Sequence, residues 1–122
     1  MERPKFDDYG RTQWDWLCRY NQNLSLGNNT QIGAGTVIDA YKGVAILDDV
    51  KIGFNVVILS NSTIDNKEGS VIIKEGACIG SCSVIMPGVT IGENAKVGAL
   101  SFVNCNVPAN ETWVGQPARR VR

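Results

Sequence analysis

Aliphatic residues return at every sixth position along this chain. Leu26, Ile32 and Ile38 make a first run, Ile46, Ile52, Ile58 and Ile64 a second, and Ile73, Ile79, Ile85, Ile91, Val97 and Val103 a third. The step from Ile38 to Ile46 is two residues too long and the step from Ile64 to Ile73 three too long. Glycine often follows the aliphatic position, as at Gly27, Gly33, Gly53, Gly80, Gly92 and Gly98. Four residues after it stands a small or aliphatic side chain: Thr30, Thr36, Val50, Val56, Ser62, Ala77, Ser83, Val89, Ala95 and Ser101. Each hexad therefore reads as a short strand and a tight corner. Strand residues alternate sides, so both marked positions can face inward. The corner favours residues that tolerate positive φ, and Asn28, Asn29, Gly35, Asn55 and Asn94 suit it.

Three such hexads close one triangular coil, and thirteen hexad starts give a little over four coils. Stacked coils pair their strands in parallel at roughly 4.8 Å and bury their apolar edges on one another. The expected fold is all-β, a parallel β-helix over residues 24–107, with insertions near 39–45 and 65–72. A sandwich of short strands would not hold a six-residue register for so long. The open ends of a coil stack need covering. Residues 1–23 are assigned to an N-terminal cap, in which Trp14, Leu17 and Cys18 have the spacing of a short amphipathic helix over 12–20, with Trp16 and Tyr20 on a second side. Residues 108–122, with Pro108, Trp113 and Pro117, leave the repeat as a C-terminal extension.

Composition narrows the function. Twelve Lys and Arg balance twelve Asp and Glu, so net charge argues for neither nucleic acid nor an anionic membrane as partner. No apolar run approaches a membrane span, the start has no signal-peptide pattern, and a cytoplasmic protein is the expectation. Cys18, Cys78, Cys82 and Cys105 are irregularly spaced and read as reduced thiols. Histidine is absent. That removes the commonest general base near neutral pH and the commonest zinc ligand, and no metal is expected.

The wording of residues 78–122 is more specific than the hexads. Ile79-Gly80-Ser81, Ile85-Met86-Pro87-Gly88-Val89-Thr90-Ile91-Gly92, Val97-Gly98-Ala99 and Val114-Gly115-Gln116-Pro117-Ala118-Arg119 resemble the hexapeptide-repeat acyltransferases, in particular their branch of sugar acetyltransferases. The resemblance implies a left-handed coil, against the usual right-handed crossover. It also implies a homotrimer with acetyl-CoA in a groove between two subunits. Ser81 and Ala99 would then flank the pantetheine arm, Asn104 would stand near the nucleotide end, and Arg119 and Arg122 would reach its phosphates, for which guanidinium groups are suited. A γ-type carbonic anhydrase shares the fold but resembles a family with a three-histidine zinc site, which this chain cannot build. An ice-binding coil would need regular Thr-x-Thr ladders, and none occurs.

The same resemblance places a catalytic histidine in a mid-chain loop, where this chain has Leu59-Ser60-Asn61-Ser62-Thr63-Ile64-Asp65-Asn66-Lys67-Glu68-Gly69. Three explanations stand. The acceptor is an amine of a nucleotide-linked amino sugar, which needs positioning more than a base. Or Asp65 or Glu68 serves as base, which allows O-acetylation. Or catalysis is lost and the chain is an assembly subunit. Within the loop Ser62 is expected inward, while Ser60 and Asn61 are expected outward, with Asn61 orienting the acceptor or holding the oxyanion. Cys82 is expected at an outward corner. Asp39, Tyr41 and Lys42 in the first insertion are further candidates for acceptor contacts.

Overall fold

The computed structural model describes residues 2–122. The first strand, β1 (Leu17–Arg19), precedes a single 3-10 turn at Asn21–Asn23. A first coil follows in β2 (Leu24–Leu26), β3 (Gln31–Ile32) and β4 (Val37–Asp39), and a second in β5 (Val44–Ile46), β6 (Lys51–Ile52) and β7 (Val57–Leu59). The chain then leaves the coil through β8 (Asn61–Ser62) and β9 (Lys67–Glu68). It returns for a third coil in β10 (Val71–Ile73), β11 (Cys78–Ile79) and β12 (Val84–Ile85), and a fourth in β13 (Thr90–Ile91), β14 (Lys96–Val97) and β15 (Phe102–Val103). It closes with β16 (Thr112–Gly115) and β17 (Ala118–Arg120).

Strands from successive coils pair in parallel on three faces. Sheet A runs β1-β4-β7-β12-β15, sheet B runs β2-β5-β10-β13, and sheet C runs β3-β6-β11-β14-β16. Two pairings are antiparallel: β17 folds back on β16, and β8 pairs with β9. Each strand of sheet A from β4 on is entered through a corner coming from sheet C, the entry edge. Each is left through a corner leading to sheet B, the exit edge.

The six-residue register places one aliphatic side chain of each hexad over the next. Cys18, Ile38, Ile58, Ile85 and Val103 stack behind sheet A. Leu26, Ile46, Ile73 and Ile91 stack behind sheet B, and Ile32, Ile52, Ile79 and Val97 behind sheet C. Burying one such side chain stabilises by about 1.5–3 kcal/mol. The second marked position is also internal, as in Val50, Val56, Ala77 and Ala95. Where it is polar the hydroxyls tie coils together. Thr36 Oγ1 donates to Gly53 O (3.0 Å) and accepts from Val56 N–H (3.2 Å). Ser83 and Ser101 both donate to Gly98 O (3.0 and 2.7 Å). Corner positions take positive φ at Asn29, Gly35, Asn55 and Asn94, as the sequence predicts, not at Asn28, and also at Cys82 (φ 64) and Leu100 (φ 61).

Four expectations are corrected. No helix covers 12–20. Thr12 N–H and Oγ1 both bond to Trp16 O (both 2.8 Å), a turn that delivers β1 to the edge of sheet A, where Leu17 and Cys18 pair with Val37 and Ile38. Trp16 is buried against Phe6 (centroids 5.8 Å apart, edge-on) rather than on a helix face. Ile64 is not a core residue, being 96% exposed at the tip of the β8–β9 hairpin. The inward residues before and after the hairpin are Ile58 and Ile73, fifteen positions apart, so the extra length there is nine residues rather than three. Ser60 faces inward and is fully buried. Among the described residues no helix is long and apolar enough to cross a membrane.

Candidate functional site

The residues nominated from the sequence fall on separate parts of the prism. Ser81 and Ala99 lie on the entry edge in successive coils. Glycines make that edge close-packed: a Cβ added at Gly80 would sit 2.5 Å from the amide nitrogen of Ala99, and one at Gly53 would sit 2.5 Å from Ser81 Oγ. The Ser81 hydroxyl is not free, since it accepts the Phe54 N–H (3.0 Å). Cys82 is exposed beside it. Sheet C outside this edge carries a shallow groove of about 690 Å³ that Gly33, Gly53, Gly80, Gly98 and Ala99 help to line.

Asn61 and Asp65 lie on the exit edge, in the hairpin. Ser62 is buried, but in the hairpin and not inside the coil as the six-residue count has it, and its hydroxyl donates to Asp65 Oδ2 (2.7 Å) and so holds the carboxylate at the turn. Asp65 itself is exposed. Asn104 stands on the same edge two coils further on and is exposed. The first insertion lies one coil before the hairpin and is fastened to it. Ser60 Oγ donates to Asp39 O (2.8 Å) and accepts the Lys42 N–H (2.9 Å), and Lys42 Nζ is 3.6 Å from Glu68 Oε1. Asp39 Oδ1 accepts the Tyr41 N–H (3.0 Å).

The C-terminal arginines lie in and just after β17, the outermost strand of sheet C. Arg120 pairs with Glu111 (3.5 Å), while Arg119 donates to its own neighbour's carbonyl, Ala118 O (2.7 Å). Arg122 is anchored by its backbone to Thr112 and its side chain is exposed. Thus Ser81 and Ala99 share one edge of a single chain, Asn61, Asp65 and Asn104 share another, and Arg119 and Arg122 lie in and just after β17, the outermost strand of sheet C. Sequence reasoning missed Ser60 as the brace between the insertions, because the six-residue count had it facing outward. It also missed Tyr20, which leaves the N-terminal segment to meet Tyr41.

The outward side chains distinguish the faces. On sheet A the directly paired column is Leu17, Val37, Val57, Val84 and Phe102, all half-buried and all apolar. On sheet C the corresponding column is Gln31, Lys51, Cys78, Lys96 and Thr112.

A triangular parallel coil with a six-residue register defines the hexapeptide-repeat class. Two family descriptions match the chain: the hexapeptide repeat of succinyl-transferase over residues 23–60 and the bacterial transferase hexapeptide over residues 70–105. The chain belongs to the hexapeptide-repeat acyltransferase family, whose coil is left-handed. It is 34% identical to the galactoside O-acetyltransferase of Escherichia coli over 119 residues, covering 84% of this chain and 55% of that protein. A hexapeptide-repeat acetyltransferase from Vibrio cholerae, solved with acetyl coenzyme A, superposes with a TM-score of 0.81 at 28% identity, covering 88% of this chain and 63% of that one. An N-acyltransferase from Bacillus cereus, solved with dTDP and 3-hydroxybutyryl-CoA, superposes with a TM-score of 0.71 at 25% identity, covering 88% and 76%. The chain spans about half the length of the E. coli relative, and less of several others.

Proposed function

We propose that this protein is an acyl-coenzyme-A-dependent acetyltransferase that works as a homotrimer on a sugar, in first place on the amino group of a nucleotide-linked amino sugar. One observation carries the reading. The apolar face, sheet A, is flanked by the two edges that hold the nominated residues. Three copies packed through sheet A would bring the entry edge of one against the exit edge of the next. Ser81 and Ala99 would then face Asn61 and Asp65 across a cleft, with Arg119 and Arg122 toward the coenzyme's phosphates. The complexes of the V. cholerae and B. cereus proteins with coenzyme A derivatives support the donor, and dTDP in the latter supports a nucleotide-linked acceptor.

The chemistry follows from the groups available. An unprotonated amine attacks the thioester carbonyl and forms the C–N bond. The resulting oxyanion needs a donor, which the Asn61 amide supplies. Collapse breaks the C–S bond, and the coenzyme leaves as a thiolate. The proton lost by the nitrogen passes to Asp65, whose Oδ1 is left open by the Ser62 bond to Oδ2, or to water. Amine acceptors tolerate a site without histidine because orientation supplies most of the rate.

Calorimetry with acetyl-CoA on the trimeric protein tests the donor, and an assay of nucleotide amino sugars with acetyl-CoA tests the reaction. Binding with product formation supports the reading. Absence of acetyl-CoA binding at millimolar concentration would leave a non-catalytic assembly subunit.

A further inference from the structure

We infer that the exit edge carries a carbohydrate-binding ledge built from Tyr20, Tyr41 and the Lys42–Glu68 pair, which holds the acceptor sugar against the hairpin. The inference rests on the acetyltransferase reading only for the purpose of binding the sugar, not for the binding itself.

Three separate segments meet there. Tyr20 comes from the bend after β1, Tyr41 and Lys42 from the first insertion, and Glu68 from β9. The Tyr20 and Tyr41 rings lie 5.1 Å apart at 58°, and each residue remains 44% exposed. The Lys42 ammonium stands 5.3 Å from the Tyr41 ring centre while reaching Glu68. A pair of large rings left in water on a small protein sacrifices apolar burial. Tyr20 does so from a left-handed backbone conformation (φ 58, ψ 46), uncommon for a bulky side chain.

The ledge is rigid below and open above. Asn23 Nδ2 donates to Tyr41 O (3.3 Å), Asp39 caps the Tyr41 N–H, and the buried Ser60 hydroxyl fixes the Lys42 backbone. The Tyr41 and Lys42 backbones are therefore fixed by the coil. An exposed ring offers its face to the axial C–H groups of a hexose. An adjacent ammonium and carboxylate offer a donor and an acceptor to its hydroxyl or amino groups. Tyr20 also lines a hollow of about 770 Å³ at the N-terminal end of sheet A, together with Asp7, Asp8, Arg11 and Arg19. A substituent on the sugar has room there.

Saturation-transfer NMR on the full chain, with free hexoses and amino hexoses at millimolar concentration, reads sugar binding without turnover. Acetyl-CoA binding is measured separately by calorimetry, so the two readings succeed or fail independently. We expect at least one sugar to receive saturation. We expect the effect to fall at least fivefold in Tyr20→Ala and Tyr41→Ala, to persist in Tyr41→Phe, and to be unchanged in Phe54→Ala, an exposed aromatic residue on the entry edge. Circular dichroism confirms that each variant is folded. No transfer to any sugar, or transfer untouched in folded Tyr20→Ala and Tyr41→Ala, would overturn the ledge whatever acetyl-CoA does.

Discussion

Ile58 and Ile64 stand one hexad apart, and one is fully buried while the other is 96% exposed. Ile58→Ala should cost about 2–5 kcal/mol. Ile64→Ser should change stability by less than about 0.5 kcal/mol. Urea denaturation of the two variants checks the pair. The contrast marks the limit of counting by six: the period identifies inward positions while the chain follows the coil, and gives no sign of where it steps off. A thiol offers a second test at this scale. Burial, with the nearby Asp39 carboxylate adding to it, pushes Cys18 up from 9.0 to about 12. The unfolded chain would release this proton near 9.0 and the folded chain only near 12. The Cys18 contribution is therefore intact below about pH 9 and is lost as pH rises from there toward 12. Cys18→Ala should flatten that alkaline decline in melting temperature. Native protein at pH 8 should label at Cys82 and Cys105 and not at Cys18.

At the scale of elements, the coil strands were legible because each carries its own inward aliphatic residue and its own corner. The N-terminal strand was not. Of the residues that space as a helix, Leu17 and Cys18 are drawn into sheet A by pairing with Val37 and Ile38, twenty positions away, while Trp14 stays in the turn before them. Local spacing carries no trace of that partner. The β8–β9 hairpin was read as a short loop for a related reason, since its length is visible only once Ser60 and Val71 are known to bracket it. Ser60→Ala removes the brace between the two insertions and should cost about 1–2 kcal/mol. It should also raise the KM for acceptor while leaving acetyl-CoA affinity unchanged, as steady-state kinetics would show. Asp65→Asn separates the two chemical routes: turnover should fall at least tenfold if the carboxylate takes the proton, and persist if positioning suffices. On the entry edge, Gly80→Ala drives a methyl into the backbone at Ala99 and should lower the melting temperature by several degrees.

For the whole molecule, the candidate site is split between edges that one chain cannot bring together, and no pattern within one sequence states which face meets a second copy. In the proposed trimer the apolar column on sheet A supplies that direction. Val57→Asp, placed in its middle, should turn a trimer into monomers by light scattering and abolish transfer while the coil remains folded by circular dichroism. Arg119→Ala with Arg122→Ala should weaken acetyl-CoA binding about tenfold without changing assembly, and calorimetry measures it. The last two strands bear on another property. A stack of coils ends in unsatisfied N–H and C=O groups that invite one more strand, so a bare stack is a template that extends itself. By turning back on β16 in the opposite direction, β17 presents the next molecule with a short, arginine-bearing strand of the wrong polarity. Cutting the chain after Gly115 should convert a discrete particle into one that polymerises end to end, with filaments visible by electron microscopy.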